Sequence, residues 1–408
     1  MTVFRQLAVV VLGLWGLAAT AQDFTALARL DIRESAVRDM RGGLGVDLYL
    51  SQPVPFRVFT LDGPKRLVMD FREIDWTGAD KSQILTVGRA SDLRFGVLRP
   101  GWSRLVVDLA EPMVVTQAGM TVDEVTGTAH VRVTLSRTSE AEFTARVGAP
   151  PDPDWQLLID ADPTLPAPRA ASDDGLMIVA IDPGHGGIDP GAERDGLKEA
   201  DIVLALGREL AEAINRTDGM RAVLTRSSDI FVPLEQRMTI ARAAGADILI
   251  SIHADALEED AATGASVYTP SREAADQASQ RMAERHDRGD LLAGLDLTGT
   301  DDRIATVLMD LARQKTGPQS LRFADTLVSA LRSEGARVNS RPRREAVLAV
   351  LNAADFPSVL LEAGFLSSDL DRAELSTQAA REPIVRGVVT ALQRWRTAEA
   401  AIQDATGN

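Results

Sequence analysis

The chain of 408 residues contains no cysteine and only four histidines. The absence of cysteine excludes disulfides and every metal site with thiolate ligands. Any histidine-based metal site must therefore draw on His130, His185, His253 and His286. Acidic residues outnumber basic residues by 59 to 44, which gives a net charge of −15 and argues against a nucleic acid as partner.

One long apolar run stands at the N-terminus, and no other run of its length follows. Arg5 precedes the apolar residues 7–17, and Ala19-Thr20-Ala21 supplies a small-residue cleavage site. We interpret residues 1–21 as a signal peptide for export to the periplasm. The alternative, a membrane anchor, is disfavoured because the run is shorter than the ~20 residues that a bilayer requires, so we expect no membrane span in the mature chain.

Residues 24–136 consist of short runs in which apolar and polar residues alternate, separated by Gly and Pro. They include Arg66-Leu-Val-Met-Asp-Phe71 and its near-repeat Arg104-Leu-Val-Val-Asp-Leu109. This spacing of strands predicts an all-β sandwich domain. His130 falls inside one strand with no second histidine nearby, so we interpret it as structural. Residues 149–174, rich in Pro, Ala and Asp, predict a semi-stiff linker.

Strands and helices alternate over residues 176–402, which predicts an α/β catalytic domain with a largely parallel sheet flanked by helices. Strands are predicted at 177–182, 221–225, 247–253, 265–268, 346–350 and 357–362, and helices at 198–214, 234–244 and 379–400. A helical insert at 270–316 interrupts the pattern and includes an amphipathic helix at 304–312. Long inserts are often functional, although a peripheral helical hairpin is the plainer alternative.

Candidate ligands stand at the ends of the predicted strands. His185 follows the first strand, His253 and Glu362 end two later strands, and Glu199 opens a helix. The carboxyl ends of parallel strands meet at the edge of the sheet where ligands bind. Two imidazoles and one carboxylate with an open position form the ligand set of a catalytic zinc hydrolase. Glu199 by itself would be an ordinary acid in the first turn of a helix.

Four motifs resemble, in the same order, those of the zinc-dependent N-acetylmuramoyl-L-alanine amidases of the cell-division type. They are Asp-Pro-Gly-His-Gly-Gly around His185, Lys-Glu-Ala-Asp at Glu199, Ser-Ile-His-Ala-Asp at His253 and Leu-Glu-Ala-Gly-Phe at Glu362. The resemblance implies that His185, Glu199 and His253 bind Zn²⁺ and that Glu362 is the general base. It also implies cleavage of the bond between N-acetylmuramic acid and L-alanine in peptidoglycan during daughter-cell separation.

Two further resemblances concern localisation and control. The N-terminal strands resemble the AMIN domain, which implies binding to peptidoglycan and a septal location. Division amidases with such an insert hold it over the zinc cleft as an autoinhibitory lid, and an activator with a LytM-type domain releases it. Asp301 and Asp302 precede the amphipathic helix and are the candidates to cap the metal, with Asp290 and Glu284 as weaker ones.

The residues leave several alternatives open. A zinc peptidase acting within the stem peptide would use the same ligands, and an inactive wall-binding regulator would use none of them. Asp182 and Asp255 flank the ligands and either orient the imidazoles or cap a turn or helix. Gly184, Gly186 and Gly187 either leave space for a bulky substrate or form a tight turn.

Overall fold

The computed structural model describes residues 28–149, 175–256, 263–271 and 303–406, apart from residues 73, 87, 100, 124 and 352–355. The predicted signal peptide, nearly all of the predicted linker and residues 272–302 of the predicted insert lie outside the described residues. Within the described part of the chain, no helix is long and apolar enough to cross a membrane.

Residues 28–137 form an all-β domain of two sheets packed face to face. Its elements are β1 (Ala28–Met40), β2 (Gly43–Leu50), β3 (Phe56–Leu61), β4 (Arg66–Arg72), β5 (Ile74–Asp75), α1 (Lys81–Ile84), β6 (Ala90–Arg99), β7 (Trp102–Leu109), β8 (Met113–Val122) and β9 (Ala129–Arg137), followed by α2 (Glu140–Thr144). The sheets have the strand orders β5-β1-β2-β9-β8 and β3-β4-β7-β6. Leu48 and Val131 of one sheet and Met69 and Val107 of the other share one buried core, as alternation along each strand predicts.

The two near-repeated segments lie side by side as β4 and β7. They pair antiparallel, so that Asp70 faces Arg104 and Arg66 faces Asp108. Arg104 donates to the Asp70 carboxylate at 2.5 Å, and Arg57 of β3 donates to it at 2.8 Å. Because neighbours along a strand point to opposite faces, these charged pairs lie on the face of the sheet that is turned away from the sandwich core.

The C-terminal domain surrounds a six-stranded sheet. Its elements are β10 (Met177–Pro183), β11 (Glu193–Arg194), β12 (Leu197–Lys198), α3 (Glu199–Asn215), β13 (Met220–Leu224), α4 (Leu234–Ala243), β14 (Ile248–His253), β15 (Ala265–Pro270), α5 (Arg303–Ser333), β16 (Val338–Ala346), β17 (Ser358–Glu362), α6 (Asp369–Leu375) and α7 (Gln378–Thr406). The strand order is β13-β10-β14-β17-β15-β16. The sheet is mixed: β15 and β17 run antiparallel, whereas the other neighbouring pairs run parallel. Helices α3, α5 and α7 share one core with the sheet.

One predicted strand is wrong. The sequence predicts a strand at 346–350, whereas β16 ends at Ala346 and Ala349–Leu351 forms a 3-10 turn. Leu348 and Val350 are buried in a small apolar cluster, so their apolar character reflects the packing of a turn. The true strand is rich in arginine, which an edge strand tolerates.

The C-terminal ends of the parallel strands β10, β14 and β17 meet at one edge of the sheet. His253 and Glu362 are the last residues of β14 and β17 and face each other in register. His185 follows β10, and Glu199 is the first residue of α3. The fold therefore brings the four residues that the sequence indicates to one edge.

Candidate metal centre

His185 lies in a tight turn and is held at both its backbone and its ring. Its φ angle is +57°, in the left-handed region that few residues other than glycine adopt. Arg237 Nη2 donates to the His185 carbonyl at 2.8 Å, and the ring Nδ1 lies 2.8 Å from Asp189 Oδ2. With Nδ1 facing the carboxylate of Asp189, Nε2 is the ring atom presented to a metal.

The glycines around His185 allow protein segments to approach each other closely. A Cβ on Gly184 would lie 2.1 Å from Cε1 of His253, and a Cβ on Gly186 would lie 2.3 Å from the carbonyl oxygen of Ile230. A Cβ on Gly187 would lie 2.0 Å from the carbonyl oxygen of Val97. The space beside these glycines is thus filled by other parts of the chain, which agrees with the tight-turn interpretation and not with open space for substrate.

Glu199 presents its carboxylate from the N-terminal end of α3. The side chain is 1 % exposed, and each oxygen accepts a backbone N–H, Oε1 from Ala254 and Oε2 from Ala192, both at 2.9 Å. The partial positive charge of the helix N-terminus also favours a carboxylate there. These bonds fix Glu199 between the turn after β10 and the end of β14.

The two imidazoles converge on the same oxygen of Glu199. His185 Nε2 lies 3.2 Å from Oε1, and His253 Nδ1 lies 3.0 Å from it. One ligand atom from each of the three residues lies within 4.8 Å of the others. The imidazole rings stand nearly perpendicular, at 84°, with centroids 4.9 Å apart. Three ligand atoms that face one point, on two buried residues and the partly buried His185, form a geometry suited to a single metal ion.

The charges of the site favour a cation. Burial opposes protonation of His185, but the carboxylates of Asp189 and Glu199 outweigh it and raise the pKa of His185 well above its usual value. Burial likewise opposes ionisation of Glu199, but His185 and His253 lower its pKa well below the usual value. The negative charge of Glu199 and a positive charge on His185 therefore stabilise each other, and a metal cation would supply that positive charge in place of a proton.

Glu362 lies at the same edge of the sheet and is fully buried. Its Oε2 accepts the backbone N–H of Asp255 at 3.1 Å, and its strand neighbour in register is His253. Glu362 is not a member of the group of three donors. Its position is consistent with a carboxylate that acts beside a metal site without being a ligand.

Asp182, which the sequence leaves as either an orienting acid or a cap, bonds to groups other than the imidazoles. Asp182 accepts hydrogen bonds from Thr225, Arg237 and Ser251 rather than from an imidazole. The acid on the ring of His185 is Asp189, which the sequence analysis did not single out. Asp189 stands four positions after His185, beyond the pair of glycines, and this spacing is the sequence signal that could have identified it.

Two buried arginines hold the backbone of this turn. Arg226 donates to the carbonyl oxygens of Pro183 and Gly184 at 2.9 and 2.8 Å. Arg237 donates to the Pro183 carbonyl at 2.7 Å and to Asp182 at 2.8 Å. Asp182 therefore acts on the site indirectly, by fixing an arginine that fixes the turn.

His130 is not a member of this group. His130 Nε2 lies 2.8 Å from Asp47 Oδ1, and its ring stacks on Tyr49 with centroids 4.2 Å apart. These contacts agree with its structural interpretation. His286, Asp290, Asp301 and Asp302 lie outside the described residues.

Comparison with known proteins supports the interpretation of the motifs. A family model described as N-acetylmuramoyl-L-alanine amidase matches residues 179–394. The chain is 37 % identical over 223 residues to N-acetylmuramoyl-L-alanine amidase AmiA of Escherichia coli K12, covering 54 % of this chain and 76 % of that protein. It is 26 % identical over 363 residues to AmiC of Escherichia coli O6:H1, covering 85 % of this chain and 84 % of that protein. An alignment of that length necessarily includes part of the N-terminal domain.

Proposed function

The chain belongs to the N-acetylmuramoyl-L-alanine amidase family, and on that premise we propose that it is a zinc-dependent peptidoglycan hydrolase of cell separation. The bond it cleaves is the amide between the lactyl group of N-acetylmuramic acid and L-alanine of the stem peptide. The observation that carries the proposal is the convergence of His185 Nε2 and His253 Nδ1 on one oxygen of Glu199, at 3.2 and 3.0 Å.

The donor set fits zinc. Zinc binds imidazole nitrogens and carboxylate oxygens, and three protein ligands leave a position for substrate. Asp189 would orient His185, as acids behind zinc-bound histidines commonly do. When bound, zinc supplies Lewis-acid activation of a water molecule and of the scissile carbonyl.

Glu362 is the proposed general base. Its carboxylate would take a proton from the attacking water and deliver it to the leaving nitrogen of L-alanine. Burial and the N–H bond from Asp255 support this role, because they fix the carboxylate at the edge that carries the donors. Release of the amine then breaks the amide bond, and the hydroxyl from water stays on the lactyl carbonyl carbon.

The insert and the N-terminal domain complete the proposal. Residues 270–316 would cover the cleft as an autoinhibitory lid. An activator with a LytM-type domain would open it by binding the open form more tightly than the closed form, since a ligand shifts an equilibrium only through differential affinity. The N-terminal domain would bind peptidoglycan and direct the enzyme to the septum in the periplasm. Support comes from the length of the insert, from the all-β architecture and from the AmiC alignment over both domains.

Substitutions at the site separate metal binding from chemistry. His253→Ala should lose bound zinc and activity together, because two remaining donors hold zinc weakly. Glu362→Gln should keep one zinc per chain and lower kcat by about 100-fold or more, since general bases typically contribute 10²–10⁴-fold. Zinc content by mass spectrometry of metals and hydrolysis of a soluble muropeptide measure the two effects.

His130→Ala is the matched control, because that histidine lies in the N-terminal sheet beside Asp47. It should retain both zinc and activity. Full activity of Glu362→Gln would refute the assigned base, and full zinc content of His253→Ala would refute the metal site.

A further inference from the structure

The turn that presents His185 is covered by a strand of the N-terminal domain. Strand β6 is an edge strand of its sheet, and the carbonyl of Val97 in β6 accepts the backbone N–H of Phe231 at 3.2 Å. A Cβ on Gly96 of the same strand would lie 2.7 Å from the backbone carbonyl carbon of Gly187. The two backbones are therefore in direct contact, and glycine at both positions permits it.

An apolar cluster seals this contact. Val106 of β7 and Leu98 of β6 pack against Ile188 and Phe231 of the C-terminal domain. Val106, Ile188 and Phe231 are 0 %, 1 % and 3 % exposed. Residues with so little exposure behave as part of a core, not as a loose contact between tethered domains.

Charged residues extend the interface. Lys81 of α1 lies 3.7 Å from Glu193 of β11. The pKa of Arg94 in β6 is raised although burial opposes its charge, because the carboxylates of Asp108, Asp92 and Asp189 lie near it. A cation of the N-terminal domain is thus within electrostatic reach of the acid that orients His185.

Movement of this turn would be transmitted to His185. Gly186 N–H donates to the Asp189 carbonyl at 2.7 Å, and Asp189 N–H donates back to Gly186 at 3.1 Å. The same turn carries Gly187 and Ile188 on its covered side and Asp189 against the imidazole. Displacing the covered side therefore displaces both the histidine and its orienting acid.

We propose that the N-terminal domain is a positioning element of the metal centre, in which β6 holds residues 186–189 so that His185 keeps its metal-binding orientation. The inference rests on the proposed metal site and adds a role to peptidoglycan binding. Val97 and Val106 are the positioning residues on the N-terminal side, with Gly96 permitting their approach. Loosening this contact should weaken metal binding. It should also lower the rate of hydrolysis of a substrate that is too small to need tethering.

A pair of neighbouring valines in the full-length chain gives the main test. Val106 lies in the interface cluster, and Val107 lies in the sandwich core, both 0 % exposed. Val106→Ala should raise the dissociation constant of zinc, measured by competition with a chelator, by about 10-fold, the lower range for groups that support metal ligands. Val107→Ala loses the same atoms in the same domain and should leave zinc affinity unchanged.

A pair of glycines gives a second, stronger perturbation. Gly96 and Gly119 both lie in edge strands, β6 and β8, but a Cβ on Gly119 meets nothing within 4 Å. Gly96→Val should weaken zinc binding more than Val106→Ala does, whereas Gly119→Val should have no effect. In the metal-free proteins, amide hydrogen exchange at 187–189 should be faster for Val106→Ala and Gly96→Val than for their controls.

The outcomes distinguish this inference from the proposed function. The inference is supported if the unmodified chain binds zinc and only Val106→Ala and Gly96→Val show weaker zinc binding and faster amide exchange. Zinc affinity and exchange rates in Val106→Ala equal to those in Val107→Ala would overturn it while leaving the proposed function intact. Failure of the unmodified chain to bind zinc would overturn both.

Discussion

Asp189 is the residue on which the orientation of His185 depends most directly. Its carboxylate contacts the imidazole at 2.8 Å and is itself held by the N–H of Gly191 at 3.1 Å. Asp189→Asn should weaken zinc binding or lower activity by about 10- to 100-fold, as removal of such outer acids typically does. Asp201→Asn, at an exposed position in the first turn of α3, is the control. Zinc affinity and kcat at wild-type values in Asp189→Asn would exclude an orienting role.

Asp70 is a buried acid through which pH should act on the stability of the N-terminal domain. Burial opposes its charge, but Arg104 and Arg57 outweigh it and hold its pKa below the ordinary value of 3.8. The pKa of Asp70 is lower in the folded chain than in the unfolded chain. Its charge therefore stabilises the fold fully at pH values above the unfolded pKa, and this stabilisation is lost as the pH falls through the folded pKa. Asp70→Asn should cost about 3–5 kcal/mol of unfolding free energy at pH 7 by leaving buried arginines uncompensated.

Urea unfolding of both proteins between pH 7 and pH 3 measures this effect. The difference in unfolding free energy between wild type and Asp70→Asn should begin to decrease as the pH falls below about 4. Asp31→Asn, at an exposed strand position, should not differ from wild type. If the difference in unfolding free energy between wild type and Asp70→Asn stays constant from pH 7 to pH 3, the charge of Asp70 is not its cause.

At the residue scale, the sequence indicated the three candidate ligands and Glu362 but not Asp189, the acid that contacts the ring of His185. His185, His253 and Glu362 stand at strand ends, and that placement follows from local patterns. Asp189 and Arg237 contact His185 only because a turn closes and a helix packs above it. Such contacts depend on three-dimensional closure, which residue spacing alone does not specify.

Among the elements, helix α5 changes how the insert must be tested. It runs without interruption over Arg303–Ser333, and its second half places Phe323 and Leu327 in the core of the C-terminal domain. A deletion that ends at 316 would therefore remove half of a core helix. Replacing residues 272–302 with a short linker keeps α5 whole and should allow hydrolysis of sacculi without an activator.

Charges on the first half of α5 provide an independent test of the lid. Leu308→Glu combined with Leu311→Glu should also release activity, since burying a charge is unfavourable in a closed lid. Leu321→Glu, on an exposed part of the same helix, should not. If the folded deletion and the folded double variant stay as inactive as the full-length chain on sacculi, the lid proposal is wrong.

Element prediction succeeded where periodicity and length agreed. Helix α3 and strands β10, β14 and β17 begin and end within one or two residues of the predicted bounds. It failed for β16, where arginines occupy an edge strand and a buried turn carries the apolar residues. Apolar character reports burial, and burial is not confined to strands.

At the scale of the whole molecule, the two domains also touch each other away from the predicted linker. Gly96 and Val106 look in the sequence like ordinary strand residues, yet they pack against the turn after His185. Nothing in the alternation along β6 and β7 distinguishes a face covered by a second domain from one exposed to water. The division into two domains followed from composition, whereas their contact required the assembled surfaces.

Product analysis in ¹⁸O-labelled water tests the central claim of amide cleavage most directly. Purified sacculi are digested with the zinc-loaded variant lacking residues 272–302, with the full-length chain, proposed to be autoinhibited, as the comparison, and the products are identified by mass spectrometry. We predict stem peptides with a free amine on L-alanine, and ¹⁸O in the lactyl carboxylate of N-acetylmuramic acid. Label within the stem peptide, or glycan strands that keep their L-alanine, would contradict the account.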